Sequence, residues 1–202
     1  MKTKLFLGVS IATLMLASCG GGEAEGEEGT EADSTATTTE EEVVAMTYDV
    51  DTAQSTVNWT TYEGEEIGHT GSVKISGGTF STEGDAVTGG SLTFNMASVV
   101  ADSDKLTGHL MAPDFFDLEN FATAEFSFGS YEDGVVSGTL NMIGSEFGVE
   151  ATTAVDGNAL NVSEFKIDVS AMQFFITERE ENPEEEWHDP SVSVTATIIG
   201  VE

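Results

Sequence analysis

Side chains that carry reactive chemistry are few in this chain of 202 residues, which contains one cysteine and three histidines. Because no cysteine follows Cys19, thiol catalysis and intrachain disulfide bonds are excluded from the rest of the chain. The sequence has no Gly-x-Ser-x-Gly nucleophile elbow, and Ser137 lies in an alternating segment typical of a strand. The sequence therefore indicates no catalytic residue, and we expect no enzymatic activity.

One group of potential metal ligands occurs near the end of the chain, in the segment EEEWHDP. Glu185, Glu186, His188 and Asp189 offer carboxylates and an imidazole, which are donors that divalent cations accept. Their spacing matches no defined metal site, and acidic loops of this type are usually solvated. We therefore predict no metal site.

The start of the chain has the pattern of an export signal. Lys2 and Lys4 precede an uncharged apolar run over residues 5–17, which is too short for a permanent membrane-spanning helix. The run ends in Leu-Ala-Ser-Cys, the lipobox of bacterial lipoproteins; an ordinary secretory signal with a chance cysteine is the alternative. We predict a signal peptide over residues 1–18 and lipidation at Cys19. The protein would then be anchored to a membrane of the bacterial cell envelope, on its periplasmic side or at the cell surface.

A segment rich in Gly, Thr and Glu follows the cysteine. It has no aromatic residue and no apolar period, so it cannot bury enough surface to offset its chain entropy. We predict a disordered acidic linker over residues 19–46. The whole chain carries 37 acidic and 6 basic residues, a charge that repels nucleic acid and anionic lipid surfaces. Nucleic acid is therefore excluded as a partner.

Apolar and polar side chains alternate beyond the linker, with the period of two that half-buried β-strands show. Asp133-Gly134 and Gly157-Asn158 are typical of tight hairpin turns, and we also expect a turn at Gly77-Gly78. The pattern predicts an antiparallel meander of about eight strands, folded as a sandwich or a barrel; the barrel is favoured because closure removes both exposed edges. The alternating segments are residues 57–61, 73–75, 92–96, 126–128, 136–142, 147–149, 165–169 and 192–198.

Two long segments interrupt this alternation. The first, GHLMAPDFFDLENFATAEF over residues 108–126, is too aromatic to be disordered. We predict that it contains a short helical or irregular connection between the third and fourth strands. The second, residues 174–190, begins with aromatic residues and becomes strongly charged, so we predict an exposed loop around Pro183.

Four motifs resemble the YceI-like family, a group of exported bacterial proteins with a lipocalin-like barrel. In sequence order they are YDVDTAQSTVNWT, HTGSVKISGGTF, GGSLTFNMASV and DKLTGHLMAPDFFDLENFATAEF, of which the last is the most specific. The resemblance implies an all-β domain over residues 47–202, an extended, lipocalin-like, eight-stranded antiparallel barrel. It also implies that the protein sequesters or carries an apolar chain, such as a polyisoprenoid or an isoprenoid quinone, without catalysis and without a cofactor beyond that bound lipid.

The interior of such a barrel holds either a solid core or a cavity. Alternation alone favours a solid core. The alternative function that follows from a solid core is a protein-interaction module of the cell envelope, with unknown protein partners. The resemblance implies a cavity and an apolar lipid ligand. His109 is either a polar anchor for a ligand head group or a structural histidine. The candidate ligand-binding residues are Trp59, Val73, Ile75, Leu92, Phe94, Met96, His109, Leu110, Phe115, Phe116, Phe121, Phe126, Phe128, Leu140, Phe147, Phe165 and Ile167.

Overall fold

Nine β-strands and two helices form the part of the chain that the computed structural model describes, which is residues 44–63, 65–183 and 190–202. The strands are β1 (Ala45–Val50), β2 (Thr56–Glu63), β3 (Glu66–Glu83), β4 (Ala86–Ala101), β5 (Thr123–Glu132), β6 (Val135–Met142), β7 (Ser145–Asp156), β8 (Ala159–Asp168) and β9 (Ser191–Val201). The helices are α1 (Asp104–Leu110) and α2 (Gln173–Glu181). No helix in these described ranges is long and apolar enough to cross a membrane.

Eight of the strands close into a barrel. Each strand from β3 to β8 pairs antiparallel with the next along the chain, and β9 then pairs with β2, which pairs with β3. Because successive side chains in a strand point to opposite faces, the alternating apolar residues of all eight strands turn towards one interior. The predicted eight-stranded antiparallel barrel is therefore confirmed.

Strand β1 is a further strand that the alternating pattern did not indicate. It pairs with the second half of β3 and the end of β9, in the same gap that β2 fills further along. In the turn between β1 and β2, the Asp51 carboxylate accepts hydrogen bonds from the Gln54 side chain and from the amides of Ala53 and Gln54. These bonds, that of the Gln54 side chain first, lower the pKa of Asp51. Ser55 Oγ accepts a bond of 2.9 Å from the Ile199 amide, which ties the turn to β9.

Both long connections lie at one end of the barrel, which we call the capped end. The opposite end, the hairpin end, carries the tight turns that follow β3, β5 and β7. The predicted connection between β4 and β5 is confirmed as helical: α1 begins after Ser103, whose hydroxyl accepts a hydrogen bond from the Leu106 amide at 3.3 Å. The predicted exposed loop over residues 174–190 is wrong in its first part, because α2 forms there and its phenylalanines pack against the first connection.

Gly77-Gly78 lies within β3, directly after a bulge, so the predicted turn at these residues is wrong. The pairing of β3 with β4 shifts register between Ile75 and Gly77, which leaves Ser76 as the extra residue. Because a bulge bends its strand, this irregularity lets the 18-residue β3 follow the curved barrel wall as one strand. Gly78 is paired with Leu92 just beyond the bulge; it has a φ of 139°, and a Cβ there would lie only 2.2 Å from the carbonyl oxygen of Ser91.

Replacing Gly78 with alanine should lower the free energy of unfolding by about 1–3 kcal/mol, because the new Cβ meets backbone in a left-handed conformation. Urea denaturation followed by circular dichroism measures the change. Gly77→Ala is the matched control, since a Cβ there meets nothing within 4 Å. Equal stability of the two variants would show that the backbone at Gly78 does not require glycine.

Candidate functional site

The barrel interior contains a cavity of about 620 Å³. This volume falls within the range of about 300–1,000 Å³ that is usual for small-molecule sites. The cavity is lined almost entirely by aliphatic and aromatic side chains from both of the barrel's buried clusters. The interior is therefore hollow, and the expectation of a solid core does not describe it.

Most of the predicted ligand-binding residues line this cavity. The period of two placed those in the strands correctly on the inner face, whereas Leu110, Phe115 and Phe116 lie in the connection between β4 and β5. Their contact with a ligand stays a prediction. The residues at the cavity wall are Trp59, Val73, Leu92, Phe94, Met96, Leu110, Phe115, Phe116, Phe126, Phe128, Leu140, Phe165 and Ile167.

The other four candidates lie away from the cavity wall. Ile75 and Phe147 are 3% and 4% exposed and belong to the two buried clusters. The ring of Phe121 lies beside Gly144, in the turn between β6 and β7. His109 is on α1 with its side chain 43% exposed. Alternation identifies an inward or buried side chain, but it does not tell a wall position from a packed one.

Several lining residues were absent from the sequence prediction. Val192, Val194 and Ala196 of β9 alternate in the sequence and could have been included on that signal. Phe175 lines the cavity from α2, the helix that replaced the predicted loop. Phe80 comes from the part of β3 that follows the bulge, where the shift of register disturbs a simple period of two.

Two aromatic rings at the wall rest against glycines of neighbouring strands. A Cβ on Gly71 would lie 2.3 Å from Trp59 Cζ2, and a Cβ on Gly138 would lie 2.4 Å from Phe126 Cε2. A side chain on either glycine would occupy the space that these rings fill. Because the glycines have no side chain, the rings lie against the strand backbone instead of projecting further across the lumen, and the cavity stays open.

An aromatic cap, which comprises His109, Phe115, Phe116, Phe174 and Phe175, joins the two long connections. Ring centroids are 4.9 Å apart for Phe115 and Phe174, 4.8 Å for Phe115 and Phe116, and 5.2 Å for Phe174 and Phe175. Since Phe115, Phe116 and Phe175 also line the cavity, the cap forms part of the cavity wall at the capped end.

His109 is part of this cap rather than of the cavity wall. Its ring lies 5.8 Å from that of Phe115 and 5.6 Å from that of Phe174, both edge-on. Its Nδ1 is 4.0 Å from the Asp114 carboxylate. These contacts join α1 to α2 and support the structural reading of this histidine.

Tyr62 marks a place where the cavity wall reaches solvent, since it lines the cavity and is 38% exposed. Its hydroxyl donates a hydrogen bond of 3.3 Å to Glu164, and Lys166 Nζ lies 5.9 Å from its ring centroid. Desolvation, followed by the neighbouring Glu164 carboxylate, raises the pKa of Tyr62. The phenol therefore stays protonated and remains a donor at neutral pH.

We find no second site, built from metal-ligating side chains, in the part of the chain that the structure describes. Within residues 44–63, 65–183 and 190–202, no group of three or more His, Cys, Asp or Glu side chains gathers as a metal site would require. The candidate ligands Glu185, Glu186, His188 and Asp189 lie outside the described residues. His69 Nδ1 lies 3.2 Å from the Asp102 carboxylate, but neither residue lines the cavity.

A closed antiparallel barrel around an apolar cavity defines the lipocalin-like class of binding proteins. The model of the YceI-like domain matches residues 48–198, and the chain belongs to this family of binding proteins, as its motifs predicted. The family therefore supports a lipid-binding role at the level of the domain.

Two solved structures share the fold. BcnA of Burkholderia cenocepacia superposes with a TM-score of 0.52 at 17% identity, over 75% of this chain and 99% of that protein. A polyisoprenoid-binding domain from Saccharophagus degradans, implicated in plant cell wall breakdown, superposes with a TM-score of 0.51 at 14% identity, over 76% of this chain and 98% of that one. No curated protein matches the chain.

Replacing Phe174 with alanine should loosen the cap without removing a side chain from the cavity wall. Phe174 contacts His109, Phe115 and Phe175, but it does not line the cavity. Each aromatic pair contributes about 0.5–1.5 kcal/mol, so the amides of α2 should exchange about tenfold faster with solvent deuterium. Ile176→Ala, at a 37% exposed position of the same helix, is the control. Similar exchange in both variants would contradict a cap held by ring contacts.

Proposed function

We propose that the protein sequesters or carries an apolar chain, such as a polyisoprenoid or an isoprenoid quinone, inside its barrel. The observation that carries this proposal is the cavity of about 620 Å³ with its aliphatic and aromatic wall. Each methylene group that moves from water into such a wall contributes about 0.8 kcal/mol, so a long apolar chain gains affinity along its whole length. The related domain from Saccharophagus degradans, which is described as polyisoprenoid-binding, is consistent with a ligand of this kind.

The proposed activity is binding without catalysis. The cavity wall offers hydroxyl groups but no histidine, carboxylate or thiol among the described residues, so the side chains at the wall include no ordinary general base. An apolar chain held there is shielded from water and released unchanged. We infer no cofactor and no metal ion for this activity.

We further propose that the protein acts at a membrane of the bacterial cell envelope, to which a lipid on Cys19 anchors it. The lipobox before Cys19 and the charged start of the chain support this placement. Several acyl chains would make the attachment stable, whereas a single chain would give reversible attachment. A tether rich in glutamate would keep the barrel off an anionic membrane surface.

Replacing Cys19 with serine should abolish lipid attachment in a bacterial host, because serine offers no thiol for the thioether bond. Metabolic labelling with radioactive palmitate, followed by membrane fractionation, measures both the modification and its consequence. The wild-type chain should carry label and sediment with membranes, whereas Cys19→Ser should not be labelled. Label on the serine variant would place the acyl chains elsewhere.

Replacing Ala151 with phenylalanine should weaken lipid binding, because Ala151 is 4% exposed and lines the cavity. The phenylalanine ring fills part of the lumen, so a bound ligand would be overpacked at a cost of about 1–3 kcal/mol in binding free energy. The affinity for the lipid should therefore fall by about ten- to hundredfold. Native mass spectrometry and lipid extraction of the purified variants measure the bound lipid.

The control is Thr152→Phe, which places the same ring on the exposed face of β7. This variant should retain the ligand at the wild-type level. If the two variants bind equally, or if the wild-type protein yields no apolar molecule at all, the barrel does not hold the lipid.

A further inference from the structure

The wall of the cavity contains no charged side chain among the residues that the structure describes. Its polar members are hydroxyl groups, such as those of Thr61, Tyr62 and Ser191, and the indole of Trp59. A phosphate or carboxylate placed inside would lose its hydration without meeting a cation. The formal net charge of −31 adds long-range repulsion of anions. The interior therefore suits a molecule that carries no charge on the part it inserts.

Trp59 supplies an unpaired hydrogen-bond donor at this wall. Its ring lines the cavity, while its Nε1 is buried and has no hydrogen-bond partner in the described structure. An indole nitrogen can only donate, so only an acceptor can satisfy it. Ser193 Oγ is also buried and without a partner, but Ser193 does not line the cavity.

The indole ring rests on Gly71, which has no side chain. Thr61 and Tyr62, which follow Trp59 along β2, also line the cavity. Nε1 is shielded as the ring lies, so a hydrogen bond to a ligand requires the ring to turn on the strand backbone. Because Nε1 has no partner, this movement breaks no existing hydrogen bond of the indole.

We propose that the cavity selects an uncharged lipid that bears an acceptor oxygen, such as a carbonyl or an ether, and that Trp59 Nε1 donates a hydrogen bond to that oxygen. This inference rests on the proposed function and narrows it. Among apolar chains of similar length, those with a neutral acceptor bind more tightly than pure hydrocarbons, and those with a phosphate bind least well.

Three probes with the same farnesyl chain test the selection: farnesylacetone, which is a neutral ketone, its deoxy analogue 2,6,10-trimethylpentadeca-2,6,10-triene, in which a methylene replaces the carbonyl, and farnesyl phosphate. Equilibrium partition of each radiolabelled probe into the purified, lipid-extracted full chain gives its affinity. The ketone should bind about two- to tenfold more tightly than the hydrocarbon, since one net hydrogen bond separates them. Farnesyl phosphate should bind at least about tenfold more weakly than the ketone.

Trp59→Phe keeps an aromatic ring at the wall and removes the donor. This variant should lower the affinity for farnesylacetone to that for the deoxy analogue while leaving binding of the deoxy analogue unchanged. Retention of the ketone preference in the variant, or tight binding of farnesyl phosphate by the wild type, overturns the inference and leaves lipid binding intact. Failure of all three probes to bind the wild type overturns the proposed function and this inference with it.

Nuclear magnetic resonance tests the same hydrogen bond without altering Trp59. A Trp187→Phe background leaves a single indole in the chain, so its ¹H–¹⁵N resonance needs no further assignment. Farnesylacetone should move the indole proton downfield, and its deoxy analogue should not. An indole proton that responds identically to both bound probes contradicts a hydrogen bond to the ketone.

Discussion

Closure of the barrel depends on β3, because this strand hydrogen-bonds with β4 along one edge and with β2 and β1 along the other. A strand of this length can follow a closed wall only if it bends, and the bulge at Ser76 provides the bend. Two shorter strands then complete the remaining edge, separated by the turn at Asp51. The inward or outward direction of the other side chains follows from this register.

The hollow interior depends on how far the side chains of the wall project into the lumen. Trp59 and Phe126 bring large apolar surfaces to the inside, but Gly71 and Gly138 let their rings lie close to the backbone. The side chains at the wall are removed from bulk water, yet they lack partner atoms on the side that faces the void. An apolar chain in the lumen supplies those contacts, so filling the barrel stabilises both the ligand and the wall.

Much of the fold was predictable from the sequence, because the period of two survives over part of every barrel strand and the turn residues mark most hairpins. Gly77-Gly78 was misread because glycine also occurs inside strands, here just beyond a bulge and close to a neighbouring backbone, and only the pairing with β4 shows this. Helix α2 was missed because its acidic residues suggested a loop, whereas its position depends on contacts between Phe174 and the distant Phe115. Ile75 and Phe147 were expected at the cavity, but burial alone does not reveal where packing ends and a void begins.

The two ends of the barrel differ, and this difference gives the interior a direction. At the hairpin end, Tyr48 stacks on Phe80 with ring centroids 5.1 Å apart, beneath tight turns that leave little freedom. At the capped end, the two longer connections meet through the rings of the aromatic cap. For a chain that is loaded past the cap, the end that enters first lies towards the hairpin end, and the end that enters last lies beside the cap. The order of entry would thus distinguish the two ends of a bound molecule, independently of any single contact with the wall.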